Sequence, residues 1–169
     1  TLKIPAALER SRSGNGGHIW IFFSEPISAV SARRLGSFLI TETMERRPEI
    51  GLDSYDRLFP SQDTIPRGGF GNLIALPFQK EPASKGNSLF LNDQYCPFED
   101  QWAFLSTIRQ LSPDEVEAIV ATGASRGRIL GVRAVITEED EDQPWALSPT
   151  RKPKAPVIKA GVMMANMHW

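Results

Sequence analysis

The sequence predicts an α+β fold, a mixed β-sheet with flanking helices, on three observations. His18 to Phe23 (HIWIFF) is a β-branched and aromatic run with the composition of a buried strand. Ala32, Leu35 and Leu39 recur at three- and four-residue spacing with Phe38 beside them, the apolar stripe of a helix that packs on such a sheet. Ser112-Pro113-Asp114-Glu115 is a capping box that opens a second helix.

From the N-terminus, Ile4 to Leu8 is short and apolar and reads as the end of a strand. Ser11 to Gly17 (SRSGNGG) is a loop, and the strands on either side of it are expected to be sheet neighbours. Ser24 is the expected N-cap of the first helix, with Pro26 in its first turn; Pro48 stops that helix beyond Arg46. Arg33, Arg34 and Glu42 fall on its other faces. Gly51 to Gly71 is irregular, and Asn72 to Pro77 and Ser88 to Leu91 read as strands. Phe98, Trp102, Leu105 and Ile108 predict a helix over 97–109, with Trp20 and Trp102 in the core. A helix over 113–121 turns Val116, Ile119 and Val120 inward, and Gly123 ends it. Residues 1–122 therefore read as one domain. Residues 123–154, with the acidic run Glu138 to Asp142 and a Pro- and Lys-rich end, are expected to be a flexible linker. Residues 155–169 are expected to begin a following segment.

Composition bounds the function. The 169 residues are 41% hydrophobic and 23% charged, ordinary for a globular domain, and the formal net charge of -1 leaves nucleic-acid binding to local clusters. The single cysteine, Cys96, makes neither an internal disulfide nor a cysteine-based zinc site, so the expected location is cytoplasmic, and a small, partly buried apolar role is expected for it. No run approaches the roughly 20 apolar residues that span a bilayer, so a membrane is not an expected partner. Thr1 to Arg12 has no apolar segment of a signal peptide. The chain starts at Thr1 and stops after an apolar run, and is read as a piece of a longer protein. Walker-type, zinc-ligand and Gly-x-Ser-x-Gly spacings are absent from it.

Three constellations carry candidate chemistry. Glu9 to His18 (ERSRSGNGGH) surrounds a glycine-rich loop with two arginines, two serine hydroxyls and an imidazole. Loop N–H groups form concavities that suit phosphate oxygens, and His18 opens a stiff strand; the same residues equally make a hairpin turn with solvated arginines. Leu52 to Asp63 (LDSYDRLFPSQD) offers Asp53, Asp56 and Asp63. Strand alternation puts Tyr55, Arg57 and Phe59 on one face and Ser54, Asp56 and Leu58 on the other. A carboxylate at a strand end suits magnesium, or pairs with Arg57 or Arg67 at the surface. Arg67 to Asn72 (RGGFGN) joins a cation, a flexible backbone and an aromatic, as nucleotide or strand contacts do, and is equally a plain glycine-rich loop.

LERSRSGNGGHIWIFF, SYDRLFPSQDTIPRGGFGNLIALPFQ, GNSLFLND and DQWAFLS together resemble the primase-polymerase domain of TOTE conflict systems, a branch of the archaeo-eukaryotic primases, over roughly residues 4–122. The resemblance implies a partial primase catalytic core, with a mixed sheet of the RNA-recognition type. It implies an Asp-x-Asp pair for two divalent metals, a loop ending in His that contacts the incoming triphosphate, and a third Asp. The loop maps to Ser13 through His18, and the third Asp to Asp56, with Asp53 and Asp63 as rivals. The pair would lie upstream of Ile4, and no Asp precedes Asp53.

For activity, the resemblance implies nucleotidyl transfer with Mg2+ or Mn2+ in the parent protein. Asp56 would hold metal, while His18, Arg12, Ser13, Asn15, Gly16 and the loop N–H groups would meet the triphosphate. Arg10, Arg67 and Asn72 would contact nucleotide or template. Nucleoside triphosphates and a DNA or RNA template are the implied partners, with a helicase or nuclease domain further along the parent chain. This polypeptide alone is expected to be inactive, since one carboxylate does not hold two metals. Two other readings are a non-catalytic nucleotide- or nucleic-acid-binding module and a metal-dependent nuclease built on Asp53, Asp56 and Asp63. The primase reading requires His18 and Asp56 to converge on one nucleotide.

Overall fold

The computed structural model describes residues 3–49, 54–63, 73–127 and the backbone of 159–168. Strands β1 (Ala7–Arg10) and β2 (Gly16–Ser28) form a hairpin around the glycine-rich loop, with Glu9 opposite His18 and Ala7 opposite Trp20. Helix α1 (Ala29–Arg46) follows directly, then β3 (Tyr55–Phe59), α2 (Lys80–Ser84), β4 (Phe90–Leu91), α3 (Gln101–Thr107), α4 (Pro113–Ser125) and β5 (Lys159–His168). The sheet order is β3-β5-β2-β1-β4. The α+β expectation holds. The mixed sheet does not: among the described residues the named strands pair antiparallel, and the parallel element is a single bridge from Phe23 to Leu111.

Strand alternation divides the apolar residues between two cores. Ile21, Phe23 and Ile27 of β2 pack against Ala32 and Leu35 of α1 and Val116 and Val120 of α4. On the other face, Ala7, Trp20, Phe59 and Phe90 pack against aromatic residues of the 73–108 segment, including Phe78, Phe98 and Phe104. Where β1 ends, Leu111 takes over the edge of β2: its N–H donates to the Phe22 carbonyl at 2.9 Å, and its carbonyl accepts from Ser24 N–H at 3.0 Å.

Several boundaries differ from the sequence reading, each for a tertiary reason. Ser24 does not cap α1. β2 continues to Ser28, and the Ser28 hydroxyl accepts the Ser31 N–H at 3.0 Å. Pro26 lies in the register break of β2 between Phe22 and Ile27, where a residue without an N–H costs the ladder nothing. Residues 73–77 form no strand, and Leu73 and Leu76 are exposed. The helix expected over 97–109 shortens to α3, because Asp100 caps it by accepting the N–H groups of Trp102 and Ala103. Trp102 and Cys96 are exposed rather than packed inside.

Gly123 lies within α4 rather than after it. A Cβ there would stand 2.7 Å from Cγ of the buried Phe38, so glycine lets α4 approach α1. Glu42 is buried and paired with Arg46 at 3.0 Å and Arg126 at 3.7 Å. The capping box forms as expected, with Ser112 and Glu115 each satisfying the other's backbone N–H. Within the stretch 155–169, the described residues 159–168 form β5, which lies between β2 and β3 and pairs with both. The expected linker falls, from residue 128 on, outside the described residues.

Candidate functional site

Glu9 sits on a strand in an apolar setting, and its position opposite His18 decides its environment. It is 1% exposed. Oε2 accepts the Trp20 indole N–H at 2.6 Å and lies 3.0 Å from His18 Nδ1; Oε1 accepts the Ser88 hydroxyl at 3.2 Å. Ser88 is itself buried, and its backbone N–H donates to the Arg10 carbonyl at 2.9 Å. A carboxylate with three partners is a satisfied buried group rather than a defect. His18 keeps 15% of its side chain exposed, so the ring stands at the edge of the packed aromatic face.

The loop between the strands folds on itself. Ser11 N–H donates to the Gly16 carbonyl at 2.8 Å, and Gly14 N–H to the Ser11 carbonyl at 3.0 Å. Gly16 N–H reaches the Ser11 hydroxyl at 3.2 Å and Asn15 N–H the Ser13 hydroxyl at 3.4 Å. Those N–H groups point inward, unlike the expected phosphate concavity. Gly14 has φ +83°, a conformation that costs glycine no Cβ strain, and Asn87 packs where a Cβ would be. Arg12, Ser13 and Asn15 are exposed; Gly16 is buried. Arg10 donates from Nη1 to the Gly86 carbonyl at 3.2 Å and from Nη2 to the Tyr95 carbonyl at 2.8 Å, clamping β1 to the loops flanking β4.

The strand register connects this end of the hairpin to Asp56. Tyr55 pairs with Met167 and Leu58 with Ala165, so Asp56 and Arg57 both stand opposite Asn166. Asn166 in turn pairs with His18, and His18 with Glu9. Two residues against one is a β-bulge, and it breaks the strict alternation expected of this strand. Leu58 now packs with the helix-side core and Phe59 with the other. Asp56 and Arg57 are both exposed and touch each other, Arg57 Nε donating to Asp56 Oδ2 at 3.0 Å. Neighbours on a regular strand point apart. The backbone of Asp56 thus lies in the row of His18, two strand spacings or roughly 10 Å away.

The other candidates are placed differently. Asp63 pairs with Arg33 of α1 at 2.6 Å, with 9% of its side chain exposed. Asp53, Arg67 and Asn72 lie outside the described residues. The phenol of Tyr55 is pushed above its ordinary value by burial, then by the Asp56 carboxylate, against the opposing Arg33 cation. For a divalent metal, Asp56 is one hard oxygen donor of the right type. The described residues hold no group of three His, Cys, Asp or Glu side chains that could close a metal site. They therefore fit one ligand of a magnesium site and not the whole of it.

The sequence reading did not give Glu9 a role. The signal was present: counting back across the loop from His18 places Glu9 as its antiparallel partner, and an acid that follows Ala7 and Leu8 on a strand facing an apolar layer needs donors.

A family model described as the archaeo-eukaryotic primase domain of the TOTE conflict system matches residues 1–119. No curated protein and no solved structure matches the chain.

Proposed function

The chain belongs to the archaeo-eukaryotic primase domain family of TOTE conflict systems, and from that premise we propose that it forms the nucleotide-binding side of a magnesium- or manganese-dependent primase-polymerase site acting on a DNA or RNA template. The observation that carries this reading is the shared row of His18 and Asp56 across β2, β5 and β3. A polyphosphate placed along that row meets an imidazole at one end and a carboxylate at the other. His18 binds and orients the phosphate chain, and the exposed Arg12, Ser13 and Asn15 side chains add donors and charge beside it. Asp56 would be one ligand of a divalent ion, whose part is to neutralise phosphate charge. Asp63 is the weaker candidate for that part: both carboxylates pair with an arginine, but that of Asp63 is nearly buried against Arg33 while that of Asp56, paired with Arg57, is open to solvent.

A second reading has its own support. One carboxylate in the row, among the described residues, is short of the set that two-metal transfer uses, and that favours a non-catalytic nucleotide-binding module. The two readings separate on one assay. With a primer–template, all nucleoside triphosphates and Mg2+ or Mn2+, incorporation by the 169-residue chain supports polymerase activity; binding without incorporation supports the module.

The binding claim itself is tested by calorimetric titration with ATP and Mg2+. His18→Ala is expected to weaken binding by about 10- to 100-fold, the worth of one hydrogen bond to a charged group. Asp56→Asn is expected to abolish the part of the affinity that depends on Mg2+. Unchanged affinity in His18→Ala contradicts the proposal.

A further inference from the structure

We propose that Glu9 is the positioning residue of His18, a role that rests on His18 being the phosphate-binding group. Three observations carry it. The Glu9 carboxylate is buried, yet only two of its three partners, Trp20 and Ser88, are buried with it. Its Oε2 accepts the Trp20 indole N–H, a group that can only donate, so the same oxygen faces His18 Nδ1 with a lone pair. The strand register puts the two side chains directly opposite each other, which holds the ring plane from the backbone as well as from the carboxylate.

Nδ1 therefore carries a proton, and Nε2 is the nitrogen left for a ligand. An imidazole fixed in this way loses little rotational freedom on meeting a phosphate oxygen, and preorganisation of that kind raises affinity. A phosphate oxygen only accepts, so contact through Nε2 needs a proton there, and the Glu9 carboxylate on Nδ1–H supplies the counter-charge for that form of the ring. The Ser88 hydroxyl donates to Oε1, the carboxylate oxygen that does not face His18, and the Ser88 carbonyl accepts from Phe78 N–H at 2.8 Å.

The test is a long-range 1H–15N spectrum of the full chain labelled at its two histidines, with His168→Gln to assign them. At a pH where the ring is neutral, His18 is expected to show a protonated Nδ1 and an unprotonated Nε2; the reverse pattern overturns the proposal without any variant of Glu9. Glu9→Gln keeps the shape but can donate to Nδ1, so the tautomer is expected to shift toward Nε2–H and ATP affinity to fall about tenfold. A shifted tautomer with unchanged ATP affinity also overturns it. Ser88→Ala removes the other anchor and is expected to keep the tautomer and most of the affinity; an equal loss there assigns Glu9 to folding and overturns positioning. If wild-type protein binds no ATP, the nucleotide reading fails, while the spectrum still decides whether Glu9 holds the ring.

Discussion

Tyr55 reports on Asp56 without any ligand. Burial and the neighbouring carboxylate hold its phenol above the usual tyrosine range, with Arg33 opposing them. The folded state thus keeps the proton that the unfolded chain loses first. The contribution to stability is whole below the unfolded value of about 10 and is lost as pH rises through the folded one. Titration of tyrosinate absorbance should find one of the two tyrosines high, and Asp56→Asn should move it part of the way back, because burial remains. An unmoved titration contradicts the placement of the Asp56 carboxylate near the Tyr55 phenol. At this scale the sequence showed residue types but not their surroundings. His18 and Asp56 were legible as candidates, since a histidine opening a strand and an acid near a strand end are local features. That Arg10 clamps loop carbonyls and Asp63 answers Arg33 depends on contacts 30 to 85 residues apart in the chain.

Helices with local signals were read well, and those decided by packing were not. The capping box at Ser112 lies wholly within four residues, and its geometry is as expected. Ser112→Ala should cost about 1 kcal/mol, measured by denaturant unfolding. Gly123 has the composition of a helix stop but is a contact residue against Phe38. Gly123→Ala gains about 1 kcal/mol of helix preference, while overpacking a buried ring costs about 1–3 kcal/mol. The expected outcome is net destabilisation, with relief in the double variant Phe38→Leu, Gly123→Ala. The first helix began later than its Ser-Glu-Pro signal because β5 pairs with Ile27 and Ser28 and holds them extended. The bulge in β3 had no local sign: Tyr55 to Phe59 alternates plausibly either way, and only the register against β5 sets it.

At the scale of the whole molecule, β5 joins the two halves of the proposed site. It lies between β2 and β3, and through it Asp56 comes into the row of His18. Its apolar run reads equally well as the start of a new unit, because strand pairing between segments so far apart in the chain leaves no trace in local composition. Removing 159–168 should separate β3 from β2, leave a long unpaired edge and abolish a cooperative thermal transition, as followed by circular dichroism.

No helix among the described residues is long and apolar enough to cross a membrane, and a basic surface is not what the net charge of -1 provides. On the proposed function, recognition rests on the local arrangement around the row. The most direct measurement is paramagnetic broadening by Mn2+ in the presence of ATP. If one nucleotide lies along the row, the amides of Asp56 and Arg57 and the ring of His18 broaden together, only when ATP is present, and both effects vanish in Asp56→Asn. Broadening at Asp56 with a sharp His18 signal, at saturating ATP, would contradict the account.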